Sequence, residues 1–293
     1  TGTASVIVAV LDTGVRPNHP DLAGKLIGGY DFVSNDPNVP SAASGSDPPI
    51  SNDNDGRDAD PSDPGDWLTQ SEINADPTFW EGCEPSSSSW HGTMVSGIIG
   101  AATGNGAGMA GAGWNVRVMP VRVLGKCFGY TSDILAAMRW SAGIAVPGVP
   151  ANPNPAQVIN LSLGSSASPC SAAQQSAVAE ISARGVVVVA AAGNSAGRAA
   201  SSPGNCPGVI GVAAVRHVGS KVGFSDVGPE LSIAAPGGNC VNTGTSDPCL
   251  YPILTTVDSG TLGPVGPTYT DSFNISVGTS FAAPLVSGTA ALM

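Results

Sequence analysis

The chain has 293 residues, enough for a large domain with a buried core. Hydrophobic residues make up 42% and charged residues 11%, with 39 Gly and 25 Pro, which favours a loop-rich globule over a disordered chain. The net charge is -11 and only 11 residues are Lys or Arg, so the chain lacks the basic footprint that nucleic-acid binding requires.

The cysteines and the apolar runs indicate the compartment. The longest apolar run covers only 186–192, far short of the roughly 20 residues of a membrane helix. No basic-then-apolar leader stands at the N-terminus. The 6 Cys lie far apart without a CxxC pair, which favours disulfides over zinc, although unrelated thiols are the alternative. We therefore expect a secreted, extracellular protein without membrane or nucleic-acid partners.

Continuous apolar runs, rather than alternating ones, recur along the chain, as is typical of strands covered on both faces of a parallel sheet. We assign strands to 6–11, 116–124, 158–163, 186–192, 209–215 and 231–235. Helical stretches lie between them, at Ser132–Ser141 with Ser132 as N-cap and at Ser171–Arg184 before Gly185. The alternation predicts one α/β domain over residues 1–293, with a mainly parallel central sheet and helices on both faces.

The segment 35–89 differs, because it is crowded with Asp, Pro, Ser and Asn and shows no periodicity. So long an irregular loop in a compact domain is usually functional or held by ions. Its run SNDNDGRDADPSD concentrates carboxylates that a hard cation such as Ca²⁺ would neutralise, with a solvated acidic loop as the alternative. The predicted ligands are Asp53, Asp55, Asp58, Asp60 and Asp63.

Three short motifs stand where a strand ends or a helix begins. VAVLDTGV places Asp12 at the end of a buried strand, while SSWHGTMVSG and VGTSFAAP place His91 and Ser280 at helix starts. A serine hydroxyl becomes a nucleophile near neutral pH when an imidazole takes its proton and a buried carboxylate orients that imidazole. Each residue alone also fits a turn, a helix start or simple packing. Their joint occurrence favours a catalytic triad.

These motifs resemble the subtilisin superfamily, and the likeness runs over nearly the whole chain. DTG, HGT and GTSFAAP, in the order Asp, His, Ser, look like its three signature blocks. A fourth block, VVVVAAAGNS, is similar to its oxyanion segment and implies that Asn194 donates to the oxyanion. The resemblance implies a three-layer α/β/α fold and a monomeric serine endopeptidase that works through an acyl-enzyme. It also implies a pro-segment or protein inhibitor as partner, and terminal extensions that we expect this sequence to lack.

The resemblance also implies a groove in which an extended polypeptide substrate adds as a strand. The residues that would pair with the substrate backbone are Ser162, Leu163 and Gly164 on one side and Cys127, Phe128 and Gly129 on the other. The wall of the pocket for the residue before the scissile bond would be Ala191, Ala192 and Gly193.

Ions and cross-links follow from the same resemblance. It implies two structural calcium sites, one being the acidic loop described above, and no organic cofactor. The loop AATGNGAGMAG looks like the family's calcium loop, which gives the ligands Asp21, Thr103, Asn105, Ala107 and Met109. The cysteine positions suggest the pairs Cys83–Cys127, Cys170–Cys206 and Cys240–Cys249.

Rival interpretations start from other motifs. GNSAG at 193–197 matches the nucleophile elbow of α/β-hydrolases, but no acidic residue lies between Ser195 and His217, the only later histidine. Asp12 and Asp258 stand in DTG and DSG, which imitate the paired motifs of aspartic proteases. That family is nearly all β, and it leaves HGT and GTS unexplained. A non-catalytic binding domain on the same fold is the third alternative.

Overall fold

The computed structural model describes residues 2–34, 49–165, 168–238, 252–271 and 277–293. The helices in these ranges are α1 (Gln70–Ala75), α2 (His91–Gly100), α3 (Thr131–Ser141), α4 (Ala172–Ser182) and α5 (Thr279–Ala290). The strands are β1 (Ile7–Asp12), β2 (Tyr30–Asp31), β3 (Arg117–Arg122), β4 (Val158–Leu161), β5 (Val187–Ala191), β6 (Val209–Val215), β7 (Ile233–Pro236), β8 (Thr255–Asp258) and β9 (Pro267–Thr270). None of these helices is long and apolar enough to cross a bilayer.

Seven of the strands in the described ranges form one parallel sheet, in the order β2-β3-β1-β4-β5-β6-β7. Along β1, Ala9 and Leu11 face a core shared with α3 and α4, whereas Val8 and Val10 face a core shared with α2 and α5. Both faces of the sheet are thus covered, which explains the continuous apolar runs. The predicted three-layer α/β/α fold is confirmed. Strands β8 and β9 pair separately as an antiparallel hairpin.

The sheet brings the sequence motifs to one edge. Strand β1 ends at Asp12, Ser162 follows β4, and Asn194 lies shortly after β5. Because all these strands are parallel, their carboxyl ends meet at the same edge, which is where open α/β sheets bind ligands. Ser280 stands at the N-terminal end of α5, which packs on β4, β5, β6 and β7.

The predicted N-cap is wrong for one helix, and another helix has its N-cap at its predicted first residue. Ser132 lies inside α3, whose N-cap is Tyr130. Ser171 does cap α4, in a reciprocal pair of hydrogen bonds with Gln174. Helix α1 was not predicted and lies within the segment 35–89. It begins with a capping box between Thr69 and Glu72, a signal that the sequence TQSE carries.

Candidate active site

Asp12 and His91 are in direct contact at the carboxyl edge of the sheet. The Asp12 Oδ1 and Oδ2 atoms lie 2.8 and 2.9 Å from His91 Nδ1. Asp12 is fully buried and also accepts the backbone N–H of Thr13 at 2.8 Å. Because an ionised carboxylate can only accept, His91 Nδ1 carries the donated proton and Nε2 is left as an acceptor. This tautomer is the one that a general base requires.

The surroundings of His91 favour its protonated form. Burial of the imidazole lowers its pKa, but the charge and the hydrogen bond of Asp12 raise it, and the charges of Asp66 and Asp63 add to the rise. The net result is a pKa above the ordinary 6.5. The three carboxylates therefore stabilise the imidazolium that forms when His91 takes a proton.

Thr13 and Gly92, which follow Asp12 and His91 in the chain, hold these two segments against each other. Thr13 Oγ1 accepts the N–H of Gly92 at 3.0 Å and donates to Asp63 Oδ2 at 2.7 Å. A Cβ on Gly92 would lie 2.1 Å from Gly14 O, so the backbone here requires glycine. Asp63 is fully buried, and burial, followed by the negative charge of Asp66, raises its pKa to about 7. The DTG and HGT segments are thus joined through one threonine hydroxyl.

Ser280 lies near His91 at the start of α5. Ser280, His91 and Asn194 line one cavity of about 550 Å³, the catalytic cavity. The ring of Phe281, which follows Ser280, meets the His91 ring edge-on at 5.8 Å between centroids. The Ser280 hydroxyl donates to the carbonyl of Ser162 at 3.1 Å. The Ser280 hydroxyl is thus directed to Ser162 and not to His91.

Pro284 has a specific consequence for the start of α5. It has no N–H, so the carbonyl of Ser280, four residues earlier, loses its helical partner. The hydroxyl of Ser162 donates to that carbonyl instead, at 2.7 Å. Asn160 in turn donates to Ser162 Oγ at 3.0 Å and accepts from Ser287 Oγ at 2.8 Å. This buried network fixes α5 on β4 and positions the backbone of Ser280.

Asn194 is oriented by Thr279, the threonine of the GTS motif. This role of Thr279 was not predicted from the sequence. Asn194 Oδ1 accepts from Thr279 N at 2.9 Å and from Thr279 Oγ1 at 3.0 Å. Thr279 Oγ1 accepts the N–H of Gly193 at 3.1 Å. Since the amide oxygen is occupied, the Nδ2 group is the donor that Asn194 has left. Asn194 lines the same two cavities as Ser280.

The predicted groove residues line two further cavities. The groove cavity, about 620 Å³, is bordered by all six predicted edge residues: Cys127, Phe128, Gly129, Ser162, Leu163 and Gly164. The small cavity, about 290 Å³, lies beside Ser280 and is lined by Ala191 and Gly193. Ala192 does not line it. Its side chain is fully buried, because successive side chains of an extended backbone point to opposite faces. Ser201, in the irregular segment after Asn194, lines the small cavity instead.

Two disulfides join distant parts of the chain. Cys83 is bonded to Cys127, and Cys170 to Cys206, which are two of the three pairs that the resemblance implied. The first ties the region after α1 to the edge of the groove cavity. The third predicted pair, Cys240 and Cys249, lies outside the described residues.

Asp21 forms the centre of the first predicted calcium site. It is fully buried, and no Lys or Arg within the described ranges pairs with it. Its carboxylate accepts from the N–H of Met109 at 2.8 Å and from the side-chain amide of Asn105 at 2.6 Å. A half-turn of that amide would present its oxygen in place of its nitrogen. A buried carboxylate, an amide and a carbonyl-rich loop form a donor set that suits a hard cation.

The second predicted calcium site is not assembled as expected. Asp53 forms an ion pair with the buried guanidinium of Arg122, and Asp63 points to Thr13. Asp58 and Asp60 each accept a backbone N–H two residues further on, at 2.7 and 3.0 Å. Nowhere in the described ranges do three or more His, Cys, Asp or Glu form a group that could hold a metal ion. Of the five predicted ligands, Asp53 is the one that Arg122 pairs with, and the five-carboxylate set, including Asp55, stays a prediction.

The rival sites are not supported by their contacts. Asp258 lies at the end of β8, 3.4 Å from Arg16 in an ion pair. Burial alone would raise its pKa, but backbone N–H donors and Arg16 lower it, which favours the ionised carboxylate. The Asp12 carboxylate contacts His91. Ser195 lies in a loop with no helix behind it, and its N–H donates to Asp226.

An Asp at the carboxyl edge of a parallel sheet contacts a His, and a serine at a helix start and an oriented amide lie beside them. This arrangement is that of a subtilisin-like protein. The family model described as Peptidase S8, subtilase family, matches residues 3–293. The chain therefore belongs to the subtilase family.

Individual relatives agree with this assignment. The chain is 42% identical over 294 residues to the extracellular protease of Xanthomonas campestris, covering 100% of this chain and 44% of that protein. It is 41% identical over 289 residues to the extracellular basic protease of Dichelobacter nodosus, covering 98% of this chain and 42% of the relative. A solved protease structure from Pseudoalteromonas arctica PAMC 21717 superposes with a TM-score of 0.85 at 43% identity, over 100% of this chain and 78% of that one. The chain thus spans less than half the length of the two curated relatives.

Proposed function

We propose that the chain is the catalytic domain of a secreted, extracellular serine endopeptidase with Asp12, His91 and Ser280 as its triad. The observation that carries the proposal is the Asp12–His91 hydrogen bond beside the catalytic cavity that Ser280 also lines. Relatives named as extracellular proteases support both the activity and the compartment.

In the proposed reaction, Ser280 rotates from the Ser162 carbonyl toward His91 Nε2 and attacks the substrate carbonyl. His91 takes the hydroxyl proton, and Asp12 stabilises the resulting imidazolium. Asn194 donates to the oxygen that becomes negative, since its Nδ2 is available beside Ser280. His91 then gives the proton to the leaving amine, which leaves an acyl-enzyme on Ser280. A water molecule, deprotonated by His91, hydrolyses that ester and restores the hydroxyl.

The substrate is a polypeptide bound as an extended strand. The residues that support this are those of the groove cavity, which offer backbone groups on two sides. The side chain before the scissile bond would enter the small cavity, beside Ser280 and Gly193. Unfolded or flexible segments suit such a groove best, because their backbone groups are free to pair.

Calcium is proposed at the Asp21 loop. Asp21 and Asn105 would supply side-chain oxygens, and Thr103, Ala107 and Met109 would supply carbonyls, as in the predicted set. The ion would neutralise a buried carboxylate that otherwise has only hydrogen-bond donors. Its role would be to hold the loop after α2.

The test of the proposed function is reaction with phenylmethylsulfonyl fluoride, followed by peptide mapping and a casein-cleavage assay. We expect loss of cleavage together with one sulfonyl adduct on Ser280. The variant Ser280→Ala should neither cleave nor take the adduct. The matched control Ser195→Ala, at the decoy GNSAG motif, should do both.

Two other results would contradict the proposal. Cleavage that pepstatin blocks, and that survives in Ser280→Ala, would favour the aspartic mechanism of Asp12 and Asp258. A folded protein that neither cleaves casein nor labels Ser280 would favour the non-catalytic binding domain.

A further inference from the structure

The groove cavity has two chemically different ends. Its far end is apolar, with Leu135 and Met138 of α3. Its near end, beside His91, is polar and contains Asp66. Asp66 is the one Asp or Glu among the described residues that line this cavity, and no Lys or Arg lines it. A cation of the substrate would therefore meet a single negative charge here, at a defined position.

Asp66 is held firmly at the near end. Its Oδ1 accepts the N–H of Ser89 at 2.6 Å, and its Oδ2 accepts the Ser89 hydroxyl at 2.8 Å. Ser89 Oγ also accepts the N–H of His91 at 3.3 Å, so Asp66 is tied to the backbone that presents the imidazole. An ionised carboxylate has about four lone-pair positions, so two remain for a ligand.

The charge of Asp66 is not neutralised. No Lys, Arg or His in the described part of the chain lies within ion-pair distance of it. It is partly exposed, and its charge reaches both His91, whose pKa it helps to raise, and Asp63. By contrast, the acid on the other side of His91, Asp258, is paired with Arg16.

The strand geometry of the substrate decides which side chain reaches Asp66. If the residue before the cut enters the small cavity, the next residue upstream points to the opposite face, because side chains alternate along a strand. That face is the near end of the groove cavity. The fourth residue before the cut points to the same face as the second, toward Leu135 and Met138.

We propose that Asp66 is a specificity-determining residue that selects Lys or Arg at the second position before the scissile bond. This inference rests on the proposed function, since it assumes that peptides are cut at Ser280. The ammonium or guanidinium would lie over His91 and donate to the two open lone pairs of Asp66. An acidic side chain at that position would be repelled.

The experiment compares quenched fluorescent peptides that differ only at that second position, which carries Lys, Nε-acetyl-Lys or Glu. Acetylation keeps the length and removes the charge, so the Lys to acetyl-Lys ratio of kcat/KM isolates the charge effect. Assays run at a pH above the acid limb of the enzyme, so that any change in the His91 pKa cancels within each variant. We expect a ratio of about fivefold or more at low salt, and a lower ratio in 0.5 M NaCl.

Variants assign the effect to one residue. Asp66→Asn keeps one of the two oxygen acceptors for Ser89 and should bring the ratio close to one. Glu81→Gln, which removes an exposed charge outside the cavity, should leave the ratio unchanged. A ratio near one in the unmodified protein, or an undiminished ratio in Asp66→Asn, would overturn the inference while leaving the protease function intact. Absence of cleavage of every peptide, with no adduct on Ser280, would overturn the proposed function and the inference with it.

Discussion

A substitution at Thr279 tests how Asn194, the proposed oxyanion donor, is positioned. The substitution Thr279→Val keeps the shape of the side chain and removes its hydroxyl. Asn194 then loses one of the two hydrogen bonds to its Oδ1, at 3.0 Å, and retains the other, from Thr279 N at 2.9 Å. A neutral hydrogen bond contributes about 1 kcal/mol, so kcat should fall by about fivefold with little change in KM. The upper limit is the complete loss of the donor, about 2.7–4 kcal/mol, a value measured on another member of this family.

The assay is a double-mutant cycle on a peptide substrate. The four proteins are the unmodified chain, Thr279→Val, Asn194→Leu and the double variant, with Thr279→Ser as the control that keeps the hydroxyl. If Thr279 acts through Asn194, Thr279→Val should cost almost nothing in the Asn194→Leu background. An equal loss of kcat in both backgrounds would refute this reasoning, since Thr279 would then act independently of the amide. Thermal unfolding of each variant separates a lost contact from a lost fold.

Three further predictions follow from the charges around the site. Because the pKa of His91 is raised and the base must be neutral, kcat/KM should fall as the pH drops through a midpoint above 6.5. Asp66→Asn should move that midpoint to lower pH, since it removes one of the charges that raise the His91 pKa. A pH–rate profile with an unmoved midpoint would contradict this prediction. Chelation with EDTA should lower the melting temperature of the unmodified protein, and Asp21→Asn should remove most of that difference, whereas an unchanged melting temperature would argue against calcium at Asp21. Arg122→Met should lower the free energy of unfolding by about 3–5 kcal/mol in urea titrations, because Asp31 and Asp53 lose their guanidinium. The control Arg139→Met, at a partly exposed ion pair, should cost less than about 1 kcal/mol.

Most of the fold could be predicted because its strands are buried on both faces. Strands such as β6 read as unbroken apolar runs, and the predicted bounds 209–215 coincide with Val209–Val215. The hairpin of β8 and β9 was missed, since Thr255–Asp258 and Pro267–Thr270 are short and mixed in polarity. Helix α1 was missed because its residues bury no apolar face, so the capping box is the sequence signal that indicates it.

Some residues of the candidate site could be predicted from the sequence and others could not. Asp12, His91, Ser280 and Asn194 stand in motifs whose flanking residues are themselves required by the geometry, as Gly92 is beside Gly14. Thr279, Ser201 and Asp66 were not predicted. Thr279 and Asp66 form hydrogen bonds with residues distant in sequence, and Ser201 lines the small cavity from an irregular segment. Ala192, predicted for the same wall, is fully buried and does not line the small cavity, since a sequence run does not say which of its members face a cavity. Contacts between distant segments need the three-dimensional structure.

The acidic segment shows that a buried guanidinium contacts a cluster of carboxylates in which the sequence predicts an ion. A cluster of carboxylates needs positive charge nearby, and an ion was the expectation when only the segment itself was considered. The structure brings Arg122, at the end of β3, against Asp31 and Asp53, and its guanidinium also donates to the carbonyl of Ser51 at 2.8 Å. Burial raises the pKa of Asp31 to about 8, although Arg122 opposes that rise, so the carboxylates remain costly to bury even with their partner. The same segment continues to Asp63, which holds Thr13 beside Asp12. Arg122 thus links the acidic loop to the carboxyl edge of the sheet, where Asp12 and His91 lie.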